Sequence, residues 1–223
     1  MSSVLGATFA RGGSVGVPRK NVREVGGKPL IAWTLQEALK CTTLDRYVVS
    51  TDDEEIADVA RQYGVEVIEE PYSDGTNPLL ERIIWLLNKL EEEYEVLVDI
   101  RTTNPMKLAS DIDACVRKLM TTGADVVCGV SKLDDHHPMR IKQMVAGNRL
   151  VDVWPENISG LRQDLHPPVY IRNGSIYACR VNALYEGIHF TGGDIRGYEM
   201  PAERSVNVDG ELDLLICDAL LSS

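Results

Sequence analysis

Residues 4–21 read Val4-Leu5-Gly6-Ala7-Thr8-Phe9-Ala10-Arg11-Gly12-Gly13-Ser14-Val15-Gly16-Val17-Pro18-Arg19-Lys20-Asn21. An apolar run, Val4–Ala10, gives way at once to a loop with three glycines and three cations, Arg11, Arg19 and Lys20. Glycine lets backbone N–H groups turn inward and approach a ligand closely. A concavity of that kind, flanked by cations, suits a phosphate chain. The competing reading is an ordinary turn on a basic surface. The crowding of cations in an otherwise acidic chain weighs against it.

Downstream of this segment, strand-like runs alternate with helical patterns. Pro29 opens a helix through Lys40, since proline suits the first helical position. Arg46–Ser50 reads as a strand. Thr51 and Glu54 form a capping box for a helix that ends near Gly64. Val65–Ile68 is a third strand. Leu79–Tyr94 has apolar residues at helical spacing. Glu95–Arg101 is a strand, Ser110 caps a helix to Thr122, and Ala124–Ser131 is again a strand. This rhythm predicts an α/β fold with a mainly parallel sheet. Ligands of such sheets sit beyond the carboxyl ends of the strands, where the glycine loop falls.

The rhythm breaks after residue 131. Met139–Ala146 and Arg149–Val153 flank a Gly147-Asn148 turn and read as a hairpin. Residues 132–168 are an excursion from the main sheet, a lid or an oligomer contact. Strand patterns return at Val169–Ile171 and Ser175–Cys179, and a last helix covers Gly210–Leu221.

The net charge of −11 over 223 residues argues against binding nucleic acid or an acidic membrane. Residues 11–28 nonetheless hold five cations and one acid, which points to a small anionic ligand. The five cysteines are scattered without a C-x-x-C pair, as expected of reduced thiols in a cytoplasmic protein. No leader and no apolar run long enough to span a bilayer are visible.

The loop is neither a P-loop, which ends in Gly-Lys-Ser/Thr, nor the Gly-x-Gly-x-x-Gly dinucleotide fingerprint. A second cluster, Glu203–Asp213, places Asp209 where a strand meets the last helix. A carboxylate there can bind Mg²⁺. It can equally cap the helix, and the residues alone favour the cap. A third cluster runs through Arg162-Gln163-Asp164-Leu165 and Tyr170–Tyr177. Arg162 and Arg172 can hold a carboxylate and Asn173 can bind hydroxyls, or the segment is simply a polar loop. His136 and His137 are adjacent and lack the further ligands of a zinc site. No Gly-x-Ser-x-Gly elbow is present, so acyl transfer is not expected.

Taken together, the clusters resemble the acylneuraminate cytidylyltransferases, which make CMP-activated sialic acids and related nine-carbon sugars. The resemblance spans nearly the whole chain. It is carried by Ala10–Asn21, Gly26–Thr34, Val49–Ala57, Arg162–Leu165, Asn173–Tyr177 and Glu203–Asp213. It implies a Rossmann-like nucleotidyltransferase domain over residues 1–223, with 132–168 as a small dimerisation lobe. It also implies a homodimer and Mg²⁺ dependence. The implied reaction is attack by the anomeric hydroxyl of a sugar acid on the α-phosphate of CTP, releasing pyrophosphate. By motif, Arg11, Gly12, Gly13, Ser14, Lys20 and Asn21 hold the nucleotide and its triphosphate, with Arg11 and Lys20 as the catalytic cations. Asp209 and Asn207 are the metal positions, and Arg101, Arg162 and Asn173 are the sugar-acid positions.

Four positions depart from the family pattern. Val15 stands where lysine is common, and Asn207 where the metal motif has a first aspartate. Arg101-Thr102-Thr103-Asn104-Pro105 replaces the usual Gln-Pro-Thr-Ser-Pro and argues for a different or additional acidic group on the substrate. Glu70 stands where many relatives have an arginine near the nucleobase. These departures leave two alternatives beside CMP transfer. One is the same chemistry with another nucleotide and a sugar phosphate. The other is a weakened nucleotide-binding regulatory homologue.

Overall fold

The computed structural model describes residues 3–14, 16–71, 78–133, 136–154, 165–189 and 192–222. Val15, Arg162, Gln163 and Asp164 lie outside them. The strands are β1 (Val4–Ala10), β2 (Glu24–Val25), β3 (Lys28–Pro29), β4 (Arg46–Thr51), β5 (Glu66–Glu69), β6 (Val96–Ile100), β7 (Val126–Lys132), β8 (Lys142–Val145), β9 (Arg149–Asp152), β10 (Tyr170–Arg180) and β11 (Ile195–Glu199). The helices are α1 (Leu30–Ala38), α2 (Glu54–Gln62), α3 (Leu79–Leu90), α4 (Ala109–Thr122), α5 (Val181–Tyr185) and α6 (Glu211–Leu221).

A seven-stranded sheet runs β11-β7-β10-β6-β1-β4-β5. Only β10 is antiparallel to its neighbours β6 and β7; the remaining pairings are parallel. The expected α/β architecture is therefore present. Side chains alternate across the strands and make two cores. Val96, Val98 and Ile100 pack with Ile112, Cys115 and Leu119 of α4. Leu97 packs on the other face with Ile83 and Leu86 of α3 and Leu184 of α5. Each fully buried Leu, Ile or Val contributes roughly 1.5–3 kcal/mol relative to exposure. A third apolar cluster, Val17, Leu30, Val208, Leu214 and Cys217, fixes α6 beside the loop that follows β1.

Several local expectations need correction. Asp53, not Thr51, caps α2, accepting from the Ile56 amide at 3.1 Å. Helix α4 starts before Ser110, and the Asp111 carboxylate accepts from Leu108 N at 2.9 Å. The two segments at 169–171 and 175–179 are one strand, β10, whose register shifts between Arg172 and Tyr177. The hairpin expected in the excursion is β8 paired with β9. His137 has a structural role, since its Nδ1 accepts from Met139 N at 3.3 Å and its Nε2 lies 3.0 Å from the Pro167 carbonyl.

Lys107 is 1% exposed. Its Nζ donates to Thr34 Oγ1 at 2.8 Å and to the Asn104 carbonyl. Burial strips hydration from the ammonium and pulls its pKa down to about 7 from 10.5. Between those values the unfolded chain binds the extra proton, so stability rises with pH by up to about 1.4 kcal/mol per unit. Buried thiols act in the opposite sense. Burial raises Cys41 to about 12 and Cys217 to about 11, so above pH 9 the unfolded chain loses protons first. Thermal melts should therefore show stability climbing from pH 7 toward pH 9 and declining beyond it. Lys107→Met should flatten the climb. An unchanged slope in that variant would remove Lys107 as the cause.

Candidate active site

A cleft of about 440 Å³ opens beyond the carboxyl ends of β1 and β6. That volume falls within the ordinary range for small-ligand sites. Arg11, Lys20, Arg82 and Arg101 line it, together with Asp99 and Asp209. Cations thus outnumber acids in this cleft of an acidic protein. A larger cavity of about 800 Å³ carries Glu92, Glu93 and Glu95 with Arg180, a lining that repels phosphate.

The glycine loop is shaped by close approaches. A Cβ on Gly16 would stand 2.3 Å from the Asp209 carbonyl oxygen. Only glycine lets the loop touch the junction before α6. The Gly12 amide donates to Asp52 at 3.0 Å, and the Ser14 amide donates to the Gly12 carbonyl at 3.0 Å. Ser14 lines the cleft. Gly13 has open space where a Cβ would stand. Arg19, grouped with the loop cations by sequence, turns elsewhere, donating to Asp53 and Glu55.

Lys20 bridges two segments far apart in sequence. Its Nζ donates to the Val208 carbonyl at 2.7 Å and lies 3.7 Å from Asp209 Oδ1. Burial lowers its pKa, and the Asp209 charge opposes that shift. A partly desolvated ammonium of this kind interacts strongly with an incoming phosphate. Asn21 is buried and holds the loop in register. Its Nδ2 donates to the Arg11 carbonyl at 3.0 Å, and its Oδ1 accepts from Thr102 Oγ1 at 2.7 Å.

Arg101 projects from the end of β6. Its Nε donates to the buried Asp99 carboxylate at 3.0 Å, and its guanidinium carbon lies 4.8 Å from the Tyr177 ring centroid. Both contacts restrict its rotamers, leaving a cation fixed in the cleft. Asn173 does not line the cleft. Its amide nitrogen donates to Ser205 Oγ and Met200 Sδ, each at 3.1 Å, and its oxygen accepts from Ser175 N. It ties β10 to the segment before Asp209.

The capping reading of Asp209 is overturned. Asp213 reaches back and accepts from Asp209 N at 2.9 Å and Gly210 N at 2.8 Å. The Asp209 side chain is left 71% exposed. Asn207 Nδ2 donates to it, while Asn207 Oδ1 is buried with no hydrogen-bond donor among the described residues. Gly174, at φ +64°, lies so close that a Cβ there would be 2.6 Å from that oxygen. An exposed carboxylate of this kind fits a hard cation, and an asparagine side-chain carbonyl is an oxygen ligand of the same class. Among the described residues no three His, Cys, Asp or Glu side chains form a closed metal cluster. Such a set suits a Mg²⁺ shared with substrate phosphates.

Sequence reasoning missed Arg82 and Asp99 in the cleft. Glu70 does not line it. The Glu70 side chain is 1% exposed and accepts from Arg82 Nε at 2.6 Å, Arg82 Nη2 at 2.8 Å and Ser50 Oγ at 2.6 Å. One signal was available, because Arg82 sits on the same helix face as Leu79 and Leu86, where a charge is out of place.

A mainly parallel sheet with a cation-rich cleft past the carboxyl ends of β1 and β6 defines an α/β protein with a site suited to an anionic ligand. Residues 9–186 match the family described as Cytidylyltransferase, and the chain belongs to that family. It is 31% identical over 212 residues to N-acylneuraminate cytidylyltransferase A of Danio rerio, covering 92% of this chain and 47% of that protein. The chain thus spans about half the length of that relative. It is 30% identical to the CMP-N,N'-diacetyllegionaminic acid synthase of Legionella pneumophila, covering 98% of this chain and 96% of that one. Among solved structures, a CMP:2-keto-3-deoxy-manno-octonic acid synthetase complexed with CTP aligns with a TM-score of 0.76 at 19% identity, covering 99% of both chains. That likeness concerns the fold.

Proposed function

We propose that this chain transfers CMP from CTP to the anomeric hydroxyl of a nine-carbon sugar acid, a sialic acid or a related nonulosonic acid, and releases pyrophosphate. The observation that carries the reading is the meeting in one cleft of Lys20 from the glycine loop, Arg101 from the end of β6, and Asp209 from before α6. Relatives similar to this chain are named N-acylneuraminate cytidylyltransferase A and CMP-N,N'-diacetyllegionaminic acid synthase.

Phosphoryl-type transfer needs positioning and charge neutralisation more than a covalent nucleophile. Arg11 and Lys20 hold the triphosphate, with Ser14 and the Gly12-Gly13 turn shaping the loop and Asn21 keeping it in place. Arg101 faces the sugar acid, and Arg162 serves its carboxylate. Asp209 would hold Mg²⁺, with Asn207 as the second ligand position, and the ion would supply Lewis acidity and orientation there. A homodimer through the 132–168 lobe is supported by its apolar surface: Met144 is 65% and Leu150 57% exposed as cross-strand partners, and Ile141 and Val153 are also exposed. No described helix is long and apolar enough to cross a membrane.

A panel of nucleoside triphosphates against sugar acids and sugar phosphates, assayed by pyrophosphate release, tests the proposal. Turnover is expected with CTP and a nonulosonic acid. Release only with GTP or UTP and a sugar phosphate would replace this reading. Nucleotide binding without any turnover would leave a regulatory homologue.

A further inference from the structure

Arg82 enters the cleft already neutralised. Its Nε and Nη2 donate side-on to the Glu70 carboxylate at 2.6 and 2.8 Å, and Ser50 Oγ fixes the same carboxylate at 2.6 Å. Nη1 takes no part in these bonds. The pair is buried, with the Arg82 residue 8% exposed, yet Arg82 lines the cleft. Its guanidinium carbon lies 5.7 Å from the Phe9 ring centroid, and Phe9 and Leu79 line the same cleft.

A guanidinium bound side-on to a carboxylate contributes little net attraction for an anion. It still offers two parallel N–H donors on its Nη1/Nη2 edge. An apolar wall beside a rigid donor pair suits a planar heterocycle that presents two adjacent acceptors. It suits a phosphate poorly, and Arg11 and Lys20 bear the charge for that group. The cytosine O2/N3 edge has two acceptors, whereas uracil places an N–H at N3 and would set donor against donor.

We propose that Arg82, positioned by Glu70 and Ser50, reads the nucleobase and selects cytosine over uracil. The inference rests on the proposed use of CTP. Glu70 thereby becomes a positioning residue that acts through Arg82.

Equilibrium binding of CTP, UTP and inorganic tripolyphosphate to the parent chain, Arg82→Lys, Glu70→Gln and the doubly neutral Glu70→Gln/Arg82→Gln tests this, with thermal melts as a check on folding. Arg82→Lys should weaken CTP about 30-fold, the middle of the range for losing a bidentate base contact. It should bring CTP and UTP within about threefold of each other and leave tripolyphosphate within the same factor. Glu70→Gln should loosen CTP selection while strengthening tripolyphosphate binding, because it releases a cation from its carboxylate. The neutral pair should lose selection without gaining tripolyphosphate. If the parent binds CTP selectively and both Arg82 variants keep that selectivity, the assignment of Arg82 fails while the proposed function stands. A parent that binds no CTP would sink both.

Discussion

Lys20→Ala is expected to lower kcat/KM for CTP by about 10³-fold, the upper range for removing one preorganised charged donor from a reacting phosphate or oxyanion. Several observations set that size. The ammonium is partly desolvated, so its field is weakly screened. It is held at 2.7 Å by the Val208 carbonyl and needs little reorganisation to meet a ligand. Its nearest carboxylate, Asp209, is 3.7 Å away and mostly exposed, so the charge is not locked into a tight internal pair. Lys20→Arg should recover only part of the loss, because a planar fork does not replace a compact ammonium in that space. Pyrophosphate release at limiting and saturating CTP measures both effects. Activity of Lys20→Ala within tenfold of the parent would show that the triphosphate is held elsewhere.

Asp209→Ala should cost a comparable factor, about 10³-fold in kcat, and should abolish any rise in melting temperature on adding Mg²⁺. Asn207→Asp separates the metal reading from other roles for Asp209. In the parent, the Asn207 amide donates to Asp209. The substitution turns that donor into a second carboxylate oxygen, and two like charges then face each other. Without divalent cation the variant should melt lower, by roughly 2–4 °C for each kcal/mol of repulsion. With Mg²⁺ the same pair becomes two anionic ligands, so its stabilisation by the ion should exceed that of the parent. The readout is melting temperature against Mg²⁺ concentration and needs no turnover. If the ion shifts neither protein, Asp209 and Asn207 do not form a cation site.

The parts of the molecule that local chemistry dictates were legible in the sequence. Val4–Ala10 is apolar at every position but Thr8 because β1 is a central strand covered on both faces, and the strand's bounds match the reading. Arg11, Lys20 and Asp209 were visible as chemistry, and folding brings them to one cleft. What stayed hidden depended on contacts between distant segments. β11 carries Arg196, Gly197 and Glu199 because it is an exposed edge strand, so no alternating pattern announced it. Gly174, at φ +64°, breaks the strand pattern of β10 without ending the strand. Arg82 and Glu70 meet only because the end of β5 lies beside the start of α3. The pairing crosses twelve residues of unrelated pattern. Asp209 was assigned to the helix cap because its position allows it, and only the reach of Asp213 shows which carboxylate takes that place.

The contact between Lys20 and Val208 spans 188 residues of chain. On a ribosome the glycine loop therefore emerges well before its partner. Until that partner emerges, the nascent chain carries a cationic loop without the carbonyl that orients Lys20 or the Asp209 junction against which Gly16 packs. Catalytic competence in this architecture is a property of late docking: the sheet can assemble strand by strand, but the site closes only when the segment before α6 settles against the loop.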